Sequence, residues 1–247
     1  MPLNKARYFQ NISPGMELVV AAGSGIAYPD HNHVSTHTFG LVRSGLLRLR
    51  QGKEKRLLRA GDAFAVPPYC PHSLQAASSF EMVTICIGKA ILDRQGQEER
   101  FAAVLGGLDK LRRRGLLNAT EVRTIRKLVH AVAAAAVPAA VDDPLERLKN
   151  DIEANPSQSL DLAAMAKRVH MDRFHFLRAF KKRYGLAPRH FQNQSRLRLA
   201  KRSCRDGETP VLAALQAGFY DQSHFSHACK KMTGLTPLQY RNACRSQ

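Results

Sequence analysis

Tryptophan is absent from this 247-residue chain, and all aromatic residues together make up 7% of it. Any core must therefore be built mainly from aliphatic side chains, with Phe and Tyr at chosen places. Acidic residues are scarce: 20 Asp and Glu stand against 38 Lys and Arg, a formal net charge of +18. That balance implies a polyanionic partner, either nucleic acid or an anionic membrane. Long apolar runs are missing too. The longest, Ala131 to Val141, is too short to span a bilayer. The first residues, MPLNKARYFQN, hold no apolar signal core, so a cytoplasmic chain with no membrane partner is expected. The five cysteines include no CxxC spacing, which argues against a disulfide framework or a cysteine zinc site and for reduced thiols. What is present in ordinary measure is hydrophobic residues, at 44%, enough for one large or two small folded domains.

The chain also contains a repeat. DRFHFLRAFKKRYGLAPRHF, Asp172 to Phe191, returns about 49 residues later inside DQSHFSHACKKMTGLTPLQYR, Asp221 to Arg241. Asp172 answers Asp221, His175 answers His224, and Phe176 answers Phe225. Lys181 and Lys182 answer Lys230 and Lys231, Gly185 answers Gly234, and Pro188 answers Pro237. A period of this length is one supersecondary unit. Each copy reads as two short helices across a tight turn. In the first, Ser159 precedes an apolar stripe of Leu162, Met165 and Ala166, and Asp172 caps Arg173 to Arg183. In the second, Thr209 is a cap with Pro210 at the first helical position, and Asp221 caps the next helix. Two helices with a basic second member have the helix-turn-helix layout. Pro188 to Arg205 reads as a connecting helix. From Leu160 onward 17 Lys and Arg stand against 5 Asp and Glu, so the positive charge is concentrated here.

The stretch GFYDQSHFSHACKKMTGLTPLQYR resembles the signature of the AraC/XylS family of bacterial transcription regulators. The first copy is similar to that family's more variable first unit, and the resemblance covers roughly residues 143–247. It implies an all-α DNA-binding domain with two helix-turn-helix units, acting on double-stranded promoter or operator DNA, with RNA polymerase as a further partner. Cys229 departs from the pattern, standing where the family usually has Phe; the first copy keeps Phe180.

Helix position sorts the side chains. Phe176, Phe180 and Phe225 face the core. Arg173, Phe174, Leu177 and Arg178 face outward in the first copy, and Gln222, Ser223, Ser226 and His227 in the second. Arg178 suits guanine, Gln222 adenine, and Phe174 a thymine methyl, with core packing as the plainer role for Phe174. Lys181, Lys182, Lys230 and Lys231 suit phosphates, which position without specifying sequence; a solvated basic face is the alternative.

The first third of the chain reads as β. Short apolar runs are separated by turn signals at Ser44-Gly45, Gln51-Gly52 and Gly61-Asp62, and Leu47 and Leu49 alternate with Arg48 and Arg50. Such spacing argues for a sandwich or barrel. His31, His33 and His37 are separated by even numbers of residues, so one extended strand would place all three on one face. His72 follows in VPPYCPHSL. This resembles the two motifs of the cupin family, in which an HxH pair with an acidic residue and a later His after a Pro-rich turn hold a divalent metal. His37 stands where that family usually has Glu. The resemblance implies a site of His31, His33, His37 and His72 for Zn, Ni, Co, Cu or Fe. The alternative is that these histidines line a pocket for a small organic effector.

Between these parts, Phe101, Val104, Leu105, Leu108 and Leu111 have helical spacing from Gln97 to Arg114. Thr120 is the expected cap of a second helix with the stripe Val122, Ile125, Leu128, Val129 and Val132, ending before Pro138. This helical hairpin can pack on the barrel, form a dimer interface, or both. The expected organisation is α+β: a cupin-like sensing barrel over 1–95, a helical hairpin over 96–141, and the DNA-binding domain over 142–247. The expected protein is a homodimeric regulator rather than an enzyme. The alternative is a metal-dependent cupin enzyme fused to a DNA-binding tail, against which four protein ligands leave little open coordination space.

Overall fold

The fold was analysed in a computed structural model, which describes residues 5–13, 15–24, 27–34, 36–92, 98–135, 143–233 and 235–245. Gly25, Gln97, the stretch around Pro138, and Gly234 lie outside the described residues. The chain divides into two compact units, one of residues 1–68 and 72–138 with Gln247, the other of 69–71 and 139–246.

The first unit is built on nine strands: β1 (Lys5–Ser13), β2 (Met16–Gly23), β3 (Ala27–His31), β4 (Thr36–Ser44), β5 (Leu46–Gln51), β6 (Glu54–Arg59), β7 (Ala63–Val66), β8 (His72–Ala76) and β9 (Phe80–Gly88). They form two antiparallel sheets, ordered β1-β2-β9-β4-β7 and β3-β8-β5-β6. The turn signals fall where expected: Gly45, Gly52 and Gly61 all have positive φ between successive strands. Gly40 serves a different need. It pairs with Phe64 across β4 and β7, and a methyl group there would overlap the Phe64 ring.

Three helices follow: α1 (Lys89–Leu92), α2 (Glu98–Arg113) and α3 (Ala119–Ala135). Alternation along the strands explains why they lie against the five-stranded sheet. Leu18, Val20, Phe39, Val83, Ile85 and Ile87 form one core cluster with Val104, Leu108, Leu111, Val122, Ile125 and Val129. Each such side chain contributes roughly 1.5–3 kcal/mol by its burial. The helical hairpin thus packs on its own barrel. The cap of α3 is Asn118 rather than Thr120. The Asn118 side chain accepts from the Glu121 amide at 2.9 Å, and Glu121 accepts from the Asn118 amide at 2.7 Å. This reciprocal pair is a capping box. Glu121 also receives two bonds from Arg43 on β4, at 2.7 and 3.0 Å.

The second unit contains α4 (Pro144–Ala154), α5 (Leu162–Arg168), α6 (Arg173–Tyr184), α7 (Pro188–Arg205), α8 (Pro210–Gln216), α9 (Gln222–Thr233) and α10 (Pro237–Arg245). Strand β1 and helix α4 were not anticipated from sequence. The cap of α5 is Asp161, whose carboxylate accepts from the Ala163 and Ala164 amides, so Ser159 lies ahead of it. Asp172 caps α6, Thr209 caps α8 and Asp221 caps α9. Gly185 ends α6 with φ 72°. Among the described residues no helix is long and apolar enough to cross a membrane.

A candidate effector site in the barrel and a candidate DNA-reading face

His31 ends β3 and His72 begins β8, and the two are partners in the strand register. Their side chains therefore share one face of the sheet. The sheet continues the row, because Gln51 on β5 is the other partner of His72. His33 lies just beyond the end of β3 and turns back to the pair. The three rings form a tight set: His31 to His72 is 4.2 Å between centroids, and His33 lies 5.1 Å from each. One nitrogen of each imidazole can be chosen so that all three lie within 4.8 Å of one another. His31 and His72 are buried and His33 is half-buried. Three convergent imidazoles with one approach left open suit Zn, Ni, Co, Cu or Fe in geometry and donor type.

His37 does not join them. The single extended strand expected for His31 to His37 is broken, since β3 ends at His31 and β4 begins at Thr36. On β4, His37 pairs with Ile87 and stacks near Phe39 at 6.4 Å, both residues of the cluster beneath the helices. The break between strands puts His37 on the other face of its sheet. Its departure also removes the crowding argument against an open coordination position. Cys70 is not one of the grouped ligands; its thiol sits 3.8 Å from the Pro71 carbonyl. Gln51 was missed from sequence. Its amide donates to the Ala65 carbonyl at 3.1 Å beside the triad. The signal that finds it is cross-strand register, which a linear pattern does not carry.

In the second unit, burial separates the faces of α6 and α9. Phe176, Phe180 and Phe225 are fully buried. Phe180 meets Phe176 at 5.8 Å and Phe191 at 5.5 Å, and Phe219 meets Phe225 at 5.3 Å. Cys229 takes the place of a ring in the second copy and is also fully buried, with its thiol 3.7 Å from the Thr233 hydroxyl. Burial raises its pKa, as it does that of Cys204, which is pushed up to about 11. Both thiols are thus protonated packing groups near neutral pH.

Arg173, Phe174, Arg178, Lys181 and Lys182 are exposed on α6, with Leu177 half-buried. Gln222, Ser223, His227, Lys230 and Lys231 are exposed on α9, with Ser226 half-buried. Phe174 is 76% exposed, which leaves no core role for it. Tyr220, 91% exposed and directly ahead of α9, belongs to the same neighbourhood and was not singled out from sequence.

The α6 cap has a pH dependence. The amide of His175 and then that of Phe174 hold the Asp172 carboxyl below its ordinary value of 3.8. A carboxyl lowered on folding stabilises the folded state above that ordinary value and loses this contribution as pH falls through the folded value. Acid unfolding of wild type should therefore include a component below about pH 4 that Asp172→Asn lacks. Denaturant titrations from pH 6 to 2.5 measure it; parallel acid limbs for the two proteins would refute this role.

The profile of a helix-turn-helix domain matches residues 165–243, and that of a cupin domain matches residues 17–88. YbfI of Bacillus subtilis strain 168, described as an uncharacterized helix-turn-helix-type transcriptional regulator, is 24% identical over 249 residues, covering 89% of each chain. Among solved structures, ToxT from Vibrio cholerae O395 superposes with a TM-score of 0.62 at 15% identity, over 94% of this chain and 99% of that one. Wild-type ToxT of strain SCE256, in a form bound to an unsaturated fatty acid, gives a TM-score of 0.59 at 14% identity, over 98% and 97%. At these identities the likeness to ToxT shows a shared fold.

Proposed function

Because the chain is a DNA-binding transcription regulator of the AraC/XylS type, with a cupin domain ahead of its helix-turn-helix domain, we infer that it senses its effector at the barrel's His31, His33 and His72. The observation that carries this reading is the convergence of three imidazoles at the end of two paired strands. The ligand is a divalent transition metal, one of Zn, Ni, Co, Cu or Fe, held by the three histidines. The open coordination position would take a donor atom of water or of a small molecule. A small organic effector without metal is the second reading, which the fatty-acid-bound form of ToxT supports.

Binding can regulate only if the effector prefers one state of the chain over another; its differential affinity then shifts the population that binds DNA. We expect a homodimer, with RNA polymerase as the downstream partner. The outer residues of α6 and α9 differ although their cores repeat: Arg173, Phe174 and Arg178 against Gln222, Ser223 and His227. The two units should therefore read two different sequences within one half-site. Arg178→Ala and Gln222→Ala should each weaken operator binding by roughly 1–3 kcal/mol, and each should relax preference at its own base position. Binding to a library of randomised duplexes checks this. Equal weakening on every sequence would assign both side chains to the backbone instead. Metal analysis of the purified protein, followed by footprinting with and without metal, tests the sensing role.

A further inference from the structure

The outer face of the smaller sheet carries positive charge that its fold does not require. Leu47, Leu49, Leu58 and Leu74 are buried, so the alternate positions of β5, β6 and β8 point outward. Those positions are Leu46, Arg48 and Arg50, then Lys55, Leu57 and Arg59, then Ser73 and Gln75. None is acidic. The nearest carboxylate in sequence, Asp62, is taken up by the backbone amide of Arg59 at 2.8 Å. Arg50 and Lys55 stand directly opposite each other, and Arg48 lies diagonally between Lys55 and Arg59. Like charges in cross-strand pairs are destabilising. Edge protection accounts for cations on β6, the outermost strand of its sheet. It does not account for Arg48 and Arg50, which lie on β5 between β8 and β6.

We propose that this face is a second DNA-binding surface, which holds backbone phosphates of the duplex outside the stretch read by α6 and α9. It rests on the DNA-binding reading and adds the barrel to it. A row of phosphates is the complementary polyanion, and it removes the repulsion that Arg48, Arg50, Lys55 and Arg59 impose on one another. A second copy of this chain, itself at +18, is a poor occupant of the same face.

The test uses the full chain and a 60-base-pair duplex of mixed sequence, with affinity measured by fluorescence anisotropy over a range of KCl. The variant Arg48→Gln/Lys55→Gln/Arg59→Gln is compared with Arg112→Gln/Arg113→Gln/Lys127→Gln, which removes as much charge from exposed positions of α2 and α3. The first should lower the slope of log K against log salt by about 2 to 3, close to 0.9 per phosphate released. The second should leave it nearly unchanged. Equal slopes in the two variants would overturn the proposal and turn this face toward an acidic protein. A wild-type protein with no salt-dependent affinity for duplex would instead overturn the DNA-binding reading on which it rests.

Discussion

His33→Ala should release the metal from this protein. Wild type, purified without chelator and analysed by elemental mass spectrometry, should carry about one divalent transition ion per chain, as a single ligand cluster requires. His33 contributes one of only three grouped imidazoles, so its loss leaves two ligands. The variant should carry almost none, and its affinity should fall by about two orders of magnitude or more, since even weakening the partners of metal ligands costs 10–100-fold. His33 is the choice over His31 and His72 because it lies outside the strands and is half-buried. Its removal should leave the β3–β8 ladder intact. His37→Ala is the matched control. It lies on the other face of its sheet, against the hydrophobic cluster, so it should lower stability while leaving metal content near one per chain. Equal metal loss from both variants would contradict this assignment. Metal-free wild type that takes up no added Zn, Ni, Co, Cu or Fe would leave the organic effector.

Glu121→Ala should destabilise the first unit by about 3 kcal/mol, near the lower end of what breaking a buried ion pair costs. The Glu121 side chain is 7% exposed and that of Arg43 25% exposed. One carboxylate satisfies the guanidinium of β4 and the first amide of the α3 capping box together. Its removal leaves Arg43 with Glu81 at 3.0 Å and the Leu116 carbonyl at 2.6 Å. Glu121→Gln keeps an acceptor for the Asn118 amide and should cost roughly 1 kcal/mol. In thermal melts the alanine variant should fall by about 6–12 °C at 2–4 °C per kcal/mol, and the glutamine variant by a third of that. A drop of less than 2 °C for Glu121→Ala would show that the network is dispensable.

The readable parts of this sequence were those governed by local chemistry. Asp172, Thr209 and Asp221 announced their helices because capping is a relation between a side chain and amides two or three residues away. The glycine turns and the alternation of Leu47, Arg48 and Leu49 are of the same kind. The outer faces of α6 and α9 follow from helix period, and burial separates them from Phe176, Phe180 and Phe225 as that period requires. Long-range pairing was not readable. His31 meets His72 through register across 41 residues of sequence, while His37 is near in sequence and faces elsewhere because a strand break changes the phase of alternation. The even spacing of three histidines was a valid argument only for unbroken extended chain. Helix α4 escaped notice because the eye stopped at its prolines; Asp143-Pro144 is a cap followed by the first helical position. Glu121 and Arg43, 78 residues apart, carry no linear signature of their bond.

The account rests most heavily on a link between the histidine triad and DNA binding. The direct measurement is footprinting on the protein's own promoter region with wild type and His33→Ala, each with and without the metal that copurifies. A protected region that changes on metal addition for wild type, and stays fixed for His33→Ala, is the predicted result. Wild-type footprints that are identical with and without metal, from protein shown to bind it, would contradict the account.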